Sequence, residues 1–189
     1  MNQLYPIFLK TDRLHFLIVG GGFVGTEKLE NLLKSSPNAQ VTLVSPEIRD
    51  EIYEIAKGNE LITLIKEPFQ DKHIEGKDVA ILATNIKSLN AEIRAIIKQH
   101  GILVNVADTP DLCDFYMCSV VTKGDLKIGI STNGKSPTLA KRLRELFTDS
   151  LPDEIPQLLD SLQAFRNKLK GDFAYKVKKL DELTKELGE

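Results

Sequence analysis

A glycine-rich stretch near the start of the chain has the residue types and spacing that bind a pyrophosphate. Gly20, Gly22 and Gly25 satisfy the pattern Gly-x-Gly-x-x-Gly, directly after an apolar run and directly before a helical pattern. In that context the first glycine permits a tight turn and the second lets the backbone approach phosphates. The third allows close packing of helix and strand. Together with Phe23 and Val24, these glycines predict a dinucleotide site at a helix N-terminus.

The residue that usually separates NAD from NADP is not where the glycine pattern places it. A carboxylate at the end of the second strand would bind the ribose 2′-hydroxyl and repel a 2′-phosphate. Here the strand ends in Ser45, Pro46 and Glu47, so Ser45 can hydrogen-bond a ribose and Glu47 comes two residues late. After this strand no arginine occurs before Arg49. The sequence therefore favours NAD and leaves NADP open.

An aspartate that could move a proton follows the fifth apolar run. Ligands of open parallel sheets lie outside the carboxyl ends of the strands, and Asp108 is expected there, close to a nicotinamide ring. Asp108 could equally begin the Asp-Thr-Pro turn, while Asp111 and Asp114 could be caps. The residues alone give the catalytic and structural interpretations of Asp108 equal weight.

Two hydrophobic periods alternate over the first 113 residues and indicate the scaffold for these groups. Five short apolar runs are typical of buried parallel strands, at residues 14–19, 40–44, 61–66, 78–83 and 102–107. Helical stripes occupy residues 26–34 and 89–99. The alternation predicts an α/β fold with a Rossmann-type doubly wound parallel sheet over residues 1–113.

The pattern then changes to a hairpin followed by helices. Apolar runs at 115–121 and 126–131 flank a turn with glycine, and Ser136 and Pro137 suit the N-cap and first position of a helix to about residue 148. We expect a dimerisation region at 114–150, because two strands alone are marginal in water. After a linker at 151–156, two amphipathic helices interrupted near Gly171 predict a small helical domain at 151–189.

Composition excludes several classes of protein. With 42% hydrophobic residues, 28% charged residues and a net charge of −2, the chain shows no overall attraction to nucleic acid or anionic membranes. No apolar run approaches the roughly 20 residues that span a bilayer, and the N-terminus lacks a signal-peptide pattern, so we expect a cytoplasmic protein. Cys113 and Cys118 lack zinc or redox spacing and the three histidines are scattered, which predicts no metal site.

Four motifs in one order resemble a known family. They are residues 20–24 with Lys28, residues 83–85, residues 105–108, and residues 131–140 with Ser-Pro-x-Leu-Ala. Over residues 1 to about 150 this series is similar to the precorrin-2 dehydrogenase/sirohydrochlorin ferrochelatase family, and residues 105–115 most resemble its bifunctional fungal type. The chain departs from the family at Gly25, where alanine is common, and at Glu27, where arginine is common.

The resemblance implies a homodimer with an NAD domain, a strand-swapped dimerisation region and a helical tail. It implies dehydrogenation of precorrin-2 to sirohydrochlorin, with Asp108 serving that step and also insertion of Fe²⁺ (or Co²⁺) where it occurs. It adds Ala83, Thr84, Asn85 and Val106 to the expected cofactor contacts. The expected contacts to the substrate carboxylates are Thr132, Asn133, Gly134, Lys135, Ser136 and Arg142, in a basic cluster that also includes Lys141 and Arg144.

Two other functions remain to be compared with this one. A dehydrogenase-only member of the same family would share every motif, so the sequence does not separate it from the bifunctional form. A regulatory module that senses NAD or another ligand would explain the glycine turn and a dimer, but not Asp108 together with the Ser-Pro-Thr-Leu-Ala stretch.

Overall fold

Five parallel strands form the sheet of the N-terminal part of the chain in the computed structural model, which describes residues 2–185. In spatial order they are β3, β2, β1, β4 and β5, the order of a doubly wound sheet. Their bounds are β1 (His15–Gly21), β2 (Gln40–Ile48), β3 (Ile62–Ile65), β4 (Val79–Leu82) and β5 (Leu103–Val106). The central strands are apolar at consecutive positions because helices cover both faces of the sheet.

Helices cover the two faces of this sheet. On one face, α1 (Phe23–Ser35) and α2 (Asp50–Ala56) contribute Leu29 and Ile52 to a cluster with Phe16 and Ile18. On the other face, α3 (Lys87–Gln99) packs Ile93 and Ile97 against Leu17 and Val19. Neighbouring residues of β1 thus point into opposite clusters, as strand geometry requires. The predicted Rossmann-type sheet is confirmed.

The second strand and the residues after it differ from the sequence prediction in two ways. The strand was expected to end at Val44, but β2 continues to Ile48, where Ile48 pairs with Gly21 after an irregularity in the ladder. The short helix α2 directly after it was not predicted. Its seven residues bury only Ile52, which is too little periodicity to identify a helix from sequence.

The outer edge of β5 is covered by the chain that returns after it. The Asp114 amide donates to the Val104 carbonyl at 2.8 Å, and the Asp114 carboxylate accepts from the Val104 amide at 2.9 Å. Lys98 of α3 bonds the same carboxylate at 2.7 Å. Burial raises the pKa of Asp114, but these hydrogen bonds more than offset it and hold the pKa below the ordinary value. The sequence suggested that Asp114 could be a helix cap. Its carboxylate instead accepts a hydrogen bond from an amide on the exposed edge of β5.

A second compact unit comprises Ser119–Thr132 and the described residues from Ser136 to Lys185, while Asn133–Lys135 group with the first unit. It contains the antiparallel hairpin of β6 (Ser119–Lys123) and β7 (Leu126–Ile130), against which α4 (Pro137–Ser150) packs. The hairpin turn has Gly124 at φ +56°, as a two-residue turn requires. β6 begins at Ser119 and not at residue 115 as expected, because Phe115 and Met117 instead pack against the core of the first unit.

The predicted tail helices are present, but their apolar stripes are not buried within this chain. α5 (Ile155–Lys168) and α6 (Phe173–Thr184) bury no residue in the described part of the chain. Phe173 is 83% exposed and Leu183 is 58% exposed. α5 begins at Ile155, within the linker that was expected at residues 151–156.

The edge contact of Asp114 leads to a prediction about stability. In Asp114→Ala the Val104 amide and the Lys98 ammonium lose their shared acceptor, so we expect the free energy of unfolding to fall by about 1–3 kcal/mol. Urea denaturation measures this change. Asp111→Ala is the control, because Asp111 is exposed in a short 3₁₀ turn and its removal should cost less than about 0.5 kcal/mol. Equal losses in the two variants would contradict this role of Asp114.

Candidate active site

The glycine motif brings the ends of β1 and β4 into direct backbone contact. Gly20 has φ +120°, and a Cβ at this position would lie 2.5 Å from the Ala83 carbonyl oxygen. A Cβ at Gly25 would lie 2.0 Å from the Gly20 carbonyl oxygen. Both positions therefore require glycine, and the alanine that is common in the resembling family at Gly25 would force the backbone apart here. The first turn of α1 consequently lies directly above the end of β1.

Gly22 differs from these two glycines because the space that a side chain would occupy there is open. It is the N-cap of α1, and an added Cβ would meet no atom within 4 Å. No side chain caps the helix at Gly22, so the amide groups of its first turn remain available to a ligand. An open glycine at an uncapped helix N-terminus fits the pyrophosphate of a dinucleotide. Phe23 and Val24 follow in that first turn, with Phe23 76% exposed.

The end of β2 adds a cation that the sequence interpretation undervalued. Ser45 is buried, whereas Pro46 and Glu47 are exposed. Because β2 continues to Ile48, the residue after the strand is Arg49, whose amide donates to the Gly21 carbonyl at 3.0 Å. Its guanidinium lies 3.6 Å from the centre of the Phe23 ring and forms an ion pair with Glu51. A cation–π contact between positions so far apart has no signal in the sequence.

The loop after β4 is held in place from α3. The buried Asn90 donates from its amide nitrogen to the Thr84 carbonyl at 3.1 Å and accepts from the Thr84 hydroxyl at 2.6 Å. Ala83 is buried against Gly20, and Asn85 is exposed. The expected cofactor contacts Ala83, Thr84 and Asn85 thus form a rigid segment beside the glycine turn.

Asp108 lies in a tight turn at the carboxyl end of β5. The turn is closed by a hydrogen bond of 3.2 Å from the Thr109 amide to the Val106 carbonyl. Asp108 has φ +56°, a left-handed conformation that is uncommon outside glycine. Its side chain is exposed and has no hydrogen bond or ion pair with any residue between 2 and 185. Val106, which was expected to contact the cofactor, is buried, and its amide and carbonyl bond Cys113 and Thr109.

Cys113 closes the base of the Asp108 turn. Its sulfur accepts from the Val106 amide at 3.2 Å and lies 3.2 Å from the Val106 carbonyl and 3.4 Å from the Thr109 carbonyl, to which the thiol can donate. Burial is the main cause that raises the pKa of the Cys113 thiol above its ordinary value. The thiol therefore remains protonated and able to donate near neutral pH.

The expected substrate loop has its own internal bonds. The Thr132 hydroxyl accepts from the Ser136 amide at 3.1 Å, and Asn133 and Gly134 both have positive φ. The Ser136 hydroxyl accepts from the Leu139 amide at 3.2 Å, which confirms Ser136 as the N-cap of α4. Of the basic cluster, Lys141 and Arg144 each lie 3.9 Å from the Glu145 carboxylate. Within the described residues, Lys135 and Arg142 form no ion pair.

No metal centre or membrane span accompanies these groups. Across residues 2–185, no cluster of three His, Cys, Asp or Glu side chains could hold a metal ion. The buried His73 bonds Glu67 at 2.7 Å, and His15 bonds Thr42 at 2.8 Å, so both histidines have structural partners. In the same part of the chain, no helix is long and apolar enough to cross a membrane.

Comparison with known proteins agrees with this geometry. Residues 7–119 match the family described as "Putative NAD(P)-binding", which covers more than half of the chain and includes the glycine turn and Asp108. The chain belongs to this NAD(P)-binding family. Residues 123–150, which contain β7 and α4, match the family described as "Sirohaem biosynthesis protein central".

Similar proteins extend this assignment. The chain is 36% identical to the siroheme synthase of Pseudoalteromonas translucida (strain TAC 125), over 92% of this chain and 36% of that protein. It is 37% identical to the siroheme synthase of Psychrobacter sp. (strain PRwf-1), over 95% of this chain and 35% of that protein. The chain thus spans about a third of the length of these curated relatives.

A solved structure supports the fold. The chain superimposes on SirC, precorrin-2 dehydrogenase, with a TM-score of 0.76 and 23% identity, over 95% of this chain and 89% of that one. These similarities confirm the resemblance that the four sequence motifs predicted.

The open surroundings of Gly22 lead to a prediction about cofactor binding. In Gly22→Asp, a side chain and a negative charge would occupy the position next to the pyrophosphate, so we expect NAD binding to be lost. Aspartate is a favourable N-cap, so the melting temperature should not fall. Isothermal titration calorimetry with NAD and thermal melts measure the two effects.

A matched variant separates charge from volume. Gly22→Asn has nearly the same volume without the charge and should retain more affinity than Gly22→Asp. NAD affinity in Gly22→Asp equal to that of the unchanged protein would remove Gly22 from the pyrophosphate site.

Proposed function

We propose that the chain catalyses the NAD-dependent dehydrogenation of precorrin-2 to sirohydrochlorin. The observation that carries this proposal is Asp108, an exposed carboxylate without a partner among the described residues, beyond the end of β5. The Ala107 amide bonds the Leu82 carbonyl at 2.9 Å, and Ala83 contacts Gly20, so this carboxylate and the glycine turn follow the two strands that flank β4. Siroheme synthases among the relatives and the SirC precorrin-2 dehydrogenase indicate the substrate.

The residues that would hold NAD follow the carboxyl ends of β1, β2 and β4. Gly20, Gly22 and the first turn of α1 would hold the pyrophosphate, and Pro46 and Glu47 are exposed where the ribose is expected. The segment of Ala83, Thr84 and Asn85 would continue this surface. When bound, NAD supplies the acceptor for a hydride.

Asp108 would take the proton that the reaction releases. Dehydrogenation removes a hydride from a ring carbon and a proton from the macrocycle, so a base must accept the proton as the new double bond forms. An exposed carboxylate without another partner is a suitable group to accept it. In the described chain His15 and His73 are engaged in structural contacts elsewhere. His100 is the C-cap of α3 and precedes β5, whereas Asp108 follows β5. Asp108 is therefore the candidate base.

The cations near the start of α4 would bind the substrate's acidic side chains. Precorrin-2 carries eight carboxylate side chains around its macrocycle. Lys135 and Arg142 have no ion pair in the described part of the chain, so neither needs to release a partner before it binds a carboxylate. The α4 N-terminus at Ser136 adds amide donors and partial positive charge, with Thr132, Asn133 and Gly134 shaping the loop before it.

Metal insertion is the second reaction that this site could support. Insertion of Fe²⁺, or of Co²⁺, into sirohydrochlorin releases two pyrrole protons, and Asp108 could accept a proton there as well. Because the metal is then a substrate, no resident metal site is required. The alternative is a member of the family that only dehydrogenates.

We also propose that the chain works as a homodimer through the region 114–150, between an NAD domain at 1–113 and a helical domain at 151–189. The exposed apolar residues of α4, α5 and α6 support a partner surface: Leu139, Leu146, Phe165, Phe173 and Leu183 are exposed. Two free cysteines are consistent with a reducing compartment, and we propose a cytoplasmic location.

An anaerobic assay tests the proposed reaction. The protein is incubated with precorrin-2 and NAD, and NADH and sirohydrochlorin are followed by absorbance, with and without Fe²⁺ or Co²⁺. We expect NADH and sirohydrochlorin in equal amounts. NAD binding without any turnover of precorrin-2 would instead favour the ligand-sensing module. Formation of siroheme from Fe²⁺ only when the protein is present would identify metal insertion as the second reaction.

The role of Asp108 gives a sharp kinetic prediction. General-base catalysis contributes about 10²–10⁴ in rate, so Asp108→Ala should lower kcat by that factor. NAD affinity should survive because the glycine turn is unchanged. Stopped-flow NADH formation measures the rate. Asp111→Ala is the control, because it removes a nearby carboxylate that does not lie in the Asp108 turn. Near-normal kcat in Asp108→Ala would end this assignment.

The proposed homodimer gives a prediction about assembly. A two-stranded hairpin and unburied tail helices need a partner surface, so we expect a dimer at micromolar concentration by multi-angle light scattering. Phe173→Asp places a charge on an 83% exposed aromatic position and should shift the chain towards monomer if this helix is in the interface. A monodisperse monomer of the unchanged protein would contradict the dimer.

A further inference from the structure

We propose that Cys113 is a positioning residue whose thiol holds the turn that presents Asp108, an inference that rests on the proposed function of Asp108. The thiol contacts both ends of the turn, at Val106 and at Thr109, from the chain that returns along β5. It does not need to touch the substrate. Its effect on the reaction would come from keeping one conformation of the Asp108 backbone.

The geometry of the sulfur supports a clamp between the two ends of the turn. Val106 lies before Asp108 and Thr109 lies after it, and the sulfur is 3.2 Å from the Val106 amide nitrogen and 3.4 Å from the Thr109 carbonyl oxygen. The side chain amide of Asn105 lies 3.6 Å from the same sulfur. One thiol therefore satisfies an edge amide of β5 and can donate its proton back into the turn.

Asp108 needs such support because its backbone conformation is unfavourable. Its φ of +56° is one that residues with a side chain rarely adopt, and such residues persist only where the surroundings determine the conformation. The turn itself contributes a single backbone hydrogen bond, from Thr109 to Val106. Within the turn the Thr109 hydroxyl also donates to the Ala107 carbonyl at 3.3 Å. The contacts of Cys113 add a restraint at the base of the turn.

Cys113 is in turn held from the other side of the loop. The Cys113 amide donates to the Pro110 carbonyl at 3.0 Å, and Arg94 of α3 donates to the Leu112 carbonyl at 2.7 Å. The next residue, Asp114, is tied to β5 and Lys98. The sulfur therefore approaches the turn from a backbone segment that is fixed to both α3 and the sheet edge.

The chain contains a natural control for this proposal. Cys118 is also a free cysteine, but it is exposed, and no hydrogen bond of its sulfur is found within residues 2–185. Substitution of Cys118 removes a thiol without changing the Asp108 turn. Cys113→Ser keeps a hydrogen-bond donor and acceptor at this position, although the C–O bond is shorter than the C–S bond. Cys113→Ala removes both the donor and the acceptor.

The test compares Cys113→Ala, Cys113→Ser and Cys118→Ala in the full chain. Because small displacements of a catalytic group can cost up to about 10²-fold in rate, we expect Cys113→Ala to lower kcat for precorrin-2 dehydrogenation about tenfold or more. KM for precorrin-2 and the Kd for NAD should stay within about twofold, since the glycine turn and the cations are unchanged. Cys113→Ser should recover most of the lost kcat, and Cys118→Ala should match the unchanged protein.

A second measurement is independent of activity. Amide hydrogen exchange, followed by NMR, should be faster at Val106 and Thr109 in Cys113→Ala than in the unchanged protein, and unaltered in Cys118→Ala. If the unchanged protein does not oxidise precorrin-2, the proposed function fails while this measurement still decides the role of Cys113. Unchanged exchange at both amides would overturn the proposal, as would a loss of kcat that Cys113→Ser does not recover although the variant melts normally.

Discussion

The backbone contact between Gly20 and Ala83 is the constraint on which the candidate site depends. With a Cβ at Gly20 only 2.5 Å from the Ala83 carbonyl, any side chain there would separate the ends of β1 and β4. Gly25 then brings α1 against the same glycine. These two close approaches fix the α1 N-terminus and the β4 loop against the end of β1. On its other side β4 pairs with β5, whose end carries the Asp108 turn. The uncapped amides of the α1 N-terminus and the Asp108 carboxylate therefore lie at one edge of one sheet.

The sequence predicted what depends on periodicity and on glycine, and it missed what depends on side chain contacts to a distant backbone. Continuous apolar runs identified all five strands, because parallel strands are buried on both faces. The extension of β2 to Ile48 was not visible, since Pro46 and Glu47 are exposed and break the pattern. The contact of Arg49 with Phe23 joins positions 26 residues apart, and no local spacing predicts it.

The loop after β5 shows the same difference more clearly. Sequence reasoning placed Asp108 after the strand, but it offered only a possible capping role for Asp114 and no role for Cys113. Both residues instead satisfy amides on the open edge of β5, at Val104 and Val106. An edge strand without a neighbouring strand needs other acceptors for its amides. The residues that supply them can be recognised only when the return path of the chain is known.

The hairpin turn shows how closely the helical tail is joined to the strands before it. A Cβ at Gly124 would lie 2.9 Å from Pro156, and Lys123 forms an ion pair with Asp153. Asp153 lies just before α5 and Pro156 lies in its first turn, so the start of α5 covers the turn of the hairpin. A chain that ended after α4 would leave the turn uncovered and its lysine unpaired. The tail is therefore part of the folding unit of the hairpin. A gene fusion or truncation that divided the chain after α4 would cut through that unit.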